Sequence, residues 1–149
     1  MYKLLASALG LGYAKGGGTL AAGACCLALY LGRRRDATTR PLAAGLATAA
    51  VLGLGTLAAQ RVEADWGHDS ARVVIDEVAG MWVSVLGLPL TGPRLLAGLA
   101  LFRVFDIAKP LGVRRLEALP GGLGVLADDV LAGAYTNLLL RAGVRLGYL

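Results

Sequence analysis

Apolar residues run along this chain in long blocks separated by short charged stretches. One charge-free block extends from Gly16 to Gly32. A second, the 20-residue PLAAGLATAAVLGLGTLAAQ, lies between Arg40 and Arg61 and has the length to cross a bilayer core of roughly 30 Å. Its Ala, Thr and Gly content makes it only moderately apolar, so an internal helix of a bundle fits it too. Pro41 stands where a helix accepts its first residue, and Thr38 or Thr39 is placed to cap it. Between the blocks, GRRRDATTR forms a charged turn, which the positive-inside tendency assigns to the cytoplasm. Arg61 to Ser70 is polar and reads as a loop with a short helical start. The pattern then predicts a helix from about Arg72 or Val73 to Leu88, ended by Pro89. Another runs from Arg94 to about Lys109, stopped by Pro110. After a loop at Leu119–Gly124, a last helix covers Val125 to about Arg141. No strand-period alternation is present. The expected fold is all-α, a single helical bundle over residues 1–149, membrane-embedded or membrane-associated.

Composition narrows the class. Fifteen Lys and Arg against ten Asp and Glu give a net charge of +5, while 56% of residues are hydrophobic and only 17% charged. Such a chain is no disordered polymer. Its 22 glycines allow helices to approach closely, as in membrane bundles. The basic excess has no dense stripe interleaved with aromatics, which argues against nucleic acid and for an anionic bilayer surface. Cys25 and Cys26 are adjacent in an apolar run and read as inert thiols, neither a disulfide framework nor a metal clip. The opening MYKLLASALGLGYAKGGG, with one early Lys and a short glycine-rich apolar run, does not read as a cleavable signal. Oligomeric state leaves no trace in the pattern.

The placement of the acids carries the chemistry. Five of the ten carboxylates stand in apolar surroundings: Asp76 and Glu77 in RVVIDEVAGMW, Asp106 in FRVFDIAKP, Asp128 and Asp129 in GVLADDVLAG. Ionised carboxylates in such settings are costly unless paired or bound to metal. Arg103, Asp106 and Lys109 are three apart, which places the acid between two cations on one helix face. Neighbouring acids on a helix diverge by about 100°, so one member of each pair can face a centre while the other reaches it obliquely. Hard oxygen donors without His or Cys favour Mg²⁺, or Mn²⁺, over zinc. Two such ions would offset much of the charge of five converging acids, with Arg103 and Lys109 holding a phosphate. The competing explanation is structural: a surface ion-pair row at Arg103–Lys109, and acids that complement helix N-termini.

Other chemistries fail on their requirements. His68 is the only His, and Ser70 two residues away makes a poor nucleophile pair. No G-x-x-x-x-G-K-[ST] loop is present. A thiol phosphatase needs an Arg six residues after its Cys, and Leu31 and Gly32 stand there. The histidine-dependent lipid phosphatases need two His. GGGT at Gly16–Thr19 could approach a phosphate through backbone N–H groups, although such a run is more often a flexible turn.

At RVVIDEVAGMW, FRVFDIAKP and PGGLGVLADDVLAGAY the chain closely resembles the phosphatidylglycerophosphatase A family, in block order and separation as well as in residues. The resemblance covers about Asp69 to Tyr135, with a weaker echo near Gly12 to Ala22. It implies Mg²⁺-dependent hydrolysis of the phosphate monoester of phosphatidylglycerophosphate, giving phosphatidylglycerol in a bacterial inner membrane. It carries the family's acidic positions onto Asp76, Glu77, Asp106, Asp128 and Asp129, with Arg103 and Lys109 as basic companions. His68-Asp69 matches the stretch before the first block. The family's P-G-T-x-G-S reads GGGTLAA here, keeping Thr19 but not the Pro or Ser, and its K-P-x-P-I reads KPLGV.

The resulting expectation has Asp76, Asp106 and Asp128 or Asp129 holding metal, with Glu77 as a further ligand or as base for the attacking water. Arg103 and Lys109 grip the phosphate, with Thr19 and His68 as further substrate contacts. Trp66 and Trp82 could mark an interfacial level, and core packing suits Trp82 equally well. A non-enzymatic ion-binding or transport protein with buried carboxylates is the alternative. Two cations beside the acids count against a cation pathway. A lipid phosphotransferase would need a D-G…A-R…G…D…D pattern that the chain lacks. If both apolar runs crossed the membrane, His68–Glu77 would face outward. A lipid phosphate made on the inner leaflet requires the opposite, so one of the runs need not span.

Overall fold

A computed structural model of the chain describes residues 1–32, 41–68, 70–110 and 112–149. Among the described residues six α-helices follow one another: α1 (Tyr2–Ala6), α2 (Gly17–Gly32), α3 (Pro41–Trp66), α4 (Ile75–Val85), α5 (Gly92–Ala108) and α6 (Gly121–Arg145). Short 3-10 segments at Leu11–Tyr13 and Val113–Ala118 join α1 to α2 and α5 to α6. There is no strand among the described residues, and the all-α expectation holds. The Arg33–Arg40 turn with its Thr38 and Thr39 caps, and Asp69, lie outside the described residues.

Several boundaries differ from the pattern, each for a tertiary reason. The short helical start expected after Arg61 runs on to Trp66 as the last turns of α3, and Gly67, His68 and Ser70 lie outside the helix. Ala58, Ala59 and Val62 are buried there against Val73, Ala79 and Leu126. That leaves Arg61 to lie over the Tyr2 ring and Asp65 to pair with Lys3 at 2.9 Å. One face is core and the other carries the charges, which is enough to continue a helix. α6 begins at Gly121, four residues ahead of the expected Val125, because its glycines serve close approach. A Cβ on Gly122 would overlap the Thr56 carbonyl of α3.

α4 is shorter than expected at both ends. Val73 and Val74 are buried but approach it outside the helix, the Val74 N–H bonding the Ala6 carbonyl at 2.8 Å. At the other end the Asn137 side-chain amide of α6 donates to the carbonyls of Val83, Ser84 and Leu86, each at 3.0 Å. Arg141 adds a bond to Leu86 at 2.9 Å. These close the orphan carbonyls of the last turn, and the chain turns away at Gly87 with φ 72°.

α4 packs along α6 on bare backbone. A Cβ on Gly133 would overlap the Gly80 carbonyl, and one on Gly80 would overlap Phe102 and crowd the Asp129 carbonyl at 2.7 Å. Phe102, Met81 and Leu140 fill one core and Val62, Val73 and Leu126 another. Trp82 belongs to the packing, its indole N–H bonded to the Thr48 hydroxyl at 3.0 Å. Trp66 meets the Tyr13 ring edge-on with centroids 6.0 Å apart. Among the described residues, two helices are long and apolar enough to cross a bilayer, α3 from Leu42 with mean hydropathy 1.8 and α6 with 1.3, whereas α2 is shorter.

Candidate functional site

Because α4 and α6 touch through glycine, the acids they carry are brought close. Asp76 and Glu77 occupy the first turn of α4, where the helix dipole favours negative charge. Asp129 lies well inside α6, where no helix terminus explains it. Donor oxygens of Asp76, Glu77 and Asp129 lie within 4.8 Å of one another. Asp76 and Asp129 are buried, and Glu77 is nearly so.

Asp106 and Asp128 complete the set in a different way. Asp106, from α5, receives the Arg103 guanidinium at 2.5 Å, and the same Nη1 stands 3.6 Å from Glu77 Oε1. Asp128 accepts a hydrogen bond from the Lys109 ammonium at 2.6 Å. The predicted row Arg103–Asp106–Lys109 is therefore broken at its end. α5 stops at Ala108, and Lys109 takes a left-handed conformation with φ 45°, which carries its amine to α6 and not back along its own helix. Of the two adjacent acids on α6, Asp129 enters the cluster and Asp128 turns to Lys109.

The five acids border a cavity of about 760 Å³. Its other walls are the Gly12–Gly18 segment and Ser70–Val73, with Lys109 beside the acids. Glycine is required on that wall. A Cβ on Gly18 would overlap the Glu77 carboxylate and approach Arg103, and one on Gly12 would overlap the Arg72 carbonyl. Thr19, one residue beyond, is exposed and outside the cavity lining. His68 is also outside it, its Nδ1 2.7 Å from Glu63 Oε1 on the surface. Sequence reasoning did not single out Lys15, Ser70 or Arg72, which line the cavity. The glycine run beside Lys15 was the only available signal.

Burial and mutual repulsion make the cluster electrostatically costly. Burial pushes the Asp76 carboxyl well above its ordinary value, and the neighbouring Glu77 and Asp129 charges push it further. Glu77 is also raised by burial, against the opposing hydrogen bond from Asp76 and the Arg103 charge. Glu77 Oε2 and Asp129 Oδ2 are buried and make no hydrogen bond to the described residues. Buried carboxylate oxygens without donors are expensive. A compact set of hard oxygens from two helices, two of them lacking donors, suits a hard divalent cation. Lys15, Arg72 and Lys109 line the same cavity, and Arg103 stands beside it against Asp106 and Glu77, so positive charge flanks the acids.

The fold and this cavity together define a class: a helical bundle with an acid-centred, cation-flanked site for anionic oxygen chemistry. The chain belongs to the phosphatidylglycerophosphatase A family, whose model matches residues 4–144. A Haemophilus influenzae phosphatidylglycerophosphatase A is 40% identical over 98 residues, covering 64% of this chain and 60% of that protein. The Escherichia coli phosphatidylglycerophosphatase A is 34% identical over 90 residues, or 58% and 52% of the two chains. A Bacteroides thetaiotaomicron protein with the provisional name phosphatidylinositol-3-phosphatase is 48% identical over 89 residues, or 58% and 56%. The matches thus span little more than half the length of these curated relatives. No solved structure matches the chain.

Proposed function

We propose that this chain is a divalent-metal-dependent lipid phosphatase. It hydrolyses the phosphate monoester of phosphatidylglycerophosphate to phosphatidylglycerol, with Mg²⁺ as the ion and Mn²⁺ as a substitute. One helical domain over residues 1–149 would carry the activity at the bacterial inner (cytoplasmic) membrane, with α3 and α6 as the crossing helices. The observation that carries this reading is the convergence of Asp76, Glu77 and Asp129 at one wall of a cavity that Lys109 also lines, with Arg103 beside it, paired with Asp106 and near Glu77. Those two cations support a phosphatase over a cation pathway, whose ligands they would repel. The names of the relatives point the same way, since phosphatidylglycerophosphate and phosphatidylinositol 3-phosphate both end in a phosphate monoester on a phospholipid headgroup.

Asp76, Glu77 and Asp129 would hold the ion, with Asp106 and Asp128 alongside. Such an ion supplies positive charge to phosphoryl oxygens and makes water a better nucleophile. The Arg103 guanidinium, already held by Asp106, presents its remaining donors as a fork to the phosphate oxygens. Lys109 adds a compact charge from the α6 side, where Asp128 holds its amine. These fixed cations stabilise charge as it develops on the phosphoryl group, with no rearrangement at the moment of reaction. Glu77, whose buried Oε2 makes no hydrogen bond to the described residues, would serve as a further ligand or as base for the attacking water. Gly18, pressed on Glu77, limits solvent access behind it.

The test is phosphate release from phosphatidylglycerophosphate in phosphatidylcholine vesicles. Activity should vanish in excess chelator and return with Mg²⁺ or Mn²⁺, and Asp106→Asn should lose about a hundredfold or more through a freed, misaligned Arg103. Full turnover in chelator would remove the metal from the reading. Metal flux without phosphate release would replace the phosphatase by an ion pathway.

A further inference from the structure

The five acids and Lys109 line one part of the cavity, with Arg103 beside them against Gly18, and the Gly12–Gly18 and Ser70–Val73 walls give it a basic end. Lys15 and Arg72 both line it and are exposed. Arg103 and Lys109 are each tied to a carboxylate, but no ion pair to Lys15 or Arg72 is found among the described residues. The two lie on one wall. Gly12 is packed on the Arg72 carbonyl, so the glycine segment and the turn before α4 form a continuous surface. At its far end Gly18 touches Glu77 and Arg103.

Chain connectivity limits the separation of the two ends. Lys15 is three residues from Gly18 and Arg72 four from Asp76, so their backbones lie at most about 11 Å and about 14 Å away from the acid end. A phosphate monoester alone would leave this basic end unused. The proposed substrate has a second anion, the phosphodiester that joins its headgroup to the diacylglycerol, separated from the monoester by a three-carbon bridge.

We infer that Lys15 and Arg72 form a second anion subsite that binds the inner phosphodiester of the lipid while the terminal monoester lies among the acids. Arg72 offers a planar fork and Lys15 a mobile point charge. The subsite would select phospholipids carrying two phosphates over those with one, and it would hold the terminal phosphate at a fixed distance from the membrane-anchored end. This rests on the phosphatase reading for the identity of the ligand.

Two lipids in identical phosphatidylcholine vesicles test it: phosphatidylglycerophosphate, with both phosphates, and phosphatidate, with the monoester alone. For Lys15→Gln/Arg72→Gln, the preference in kcat/KM for the two-phosphate lipid should fall about tenfold or more, mainly through KM, because charged hydrogen bonds to a phosphate are lost. Arg72→Lys should recover part of it. A parallel binding measurement in chelator, where no turnover is expected, should show the same selective loss. An equal drop on both lipids would mean general attraction to the vesicle surface and would overturn the subsite, as would no change on either. The binding arm separates this from the parent reading. Selective binding that depends on Lys15 and Arg72, without any phosphate release by the parent chain, keeps the subsite and rejects the phosphatase. Phosphate release with binding indifferent to the substitutions does the reverse.

Discussion

α3 and α6 are nearly equal in length, and both pass for bilayer-crossing helices by hydropathy, yet they solve opposite problems. Only 17% of the apolar window in α3 is buried within the protein, against 50% in α6. α3 turns Leu42, Leu46 and Leu54 outward. α6 turns Asp128, Asp129 and Thr136 inward, with glycines that admit α4. Hydropathy records how apolar a helix is on average, and the average conceals which side is apolar. An acid in α6 is tolerated because it faces the cavity and not the surroundings.

The sharpest way to break the comparison is to remove charge from the inward side. Asp76→Asn should reduce turnover by about 10²-fold or more and weaken metal binding, measured by calorimetry on purified protein. It should also change the pH dependence of stability. The Asp76 pKa is raised in the folded state, so between the ordinary carboxylate range and that higher value the folded chain binds more protons than the unfolded one. The ion-free protein should therefore lose stability as pH rises through this window, and the loss should be smaller in Asp76→Asn. Divalent ion at neutral pH should restore the parent and not the variant. A parent whose ion-free melting temperature rises with pH across the same interval would contradict the burial of that carboxyl.

The next effect tests the seam itself. Gly133→Val forces a side chain onto the Gly80 carbonyl, and overpacking of this kind costs about 1–3 kcal/mol while spreading α4 from α6. Turnover should fall with stability, and metal affinity should fall as well, because Asp129 and Asp76 move apart. The matched change on α3, Gly53→Val, meets open space and should alter activity by less than about twofold and stability by within about 0.5 kcal/mol. Equal effects from the two substitutions, read by thermal melting in detergent beside phosphate release, would erase the distinction between the helices.

The acids were legible because a carboxylate in an apolar helix is expensive wherever it occurs, and three helices repeated the expense. The helical class was legible from block length and the missing strand period. What escaped depends on tertiary approach. Glycines read as loop at Leu119–Gly124, but Gly122 lies against Thr56 and the helix already begins at Gly121, leaving only Leu119 and Pro120 outside it. Helical spacing kept Lys109 on the Asp106 face, whereas a left-handed residue ahead of Pro110 redirected it to Asp128. Thr19 and His68 match the family motifs in type or position, but which way a side chain faces at the start of α2 or the end of α3 is decided by neighbours that spacing does not reveal. Lys15 and Arg72 were unremarkable cations until Gly12 joined their segments into one wall.

The contact between Gly80 and Gly133 has a consequence for how such a protein can change. Where two main chains touch, the gap between Asp76 and Asp129 is measured by peptide atoms and not by rotatable groups. The outer surface can then be rewritten without recalibrating the spacing of the two acids. A chimaera that borrows only the outward-facing positions of α3 from a distant relative should keep the Asp76–Asp129 spacing, whereas one that borrows α4 without its matching α6 should not.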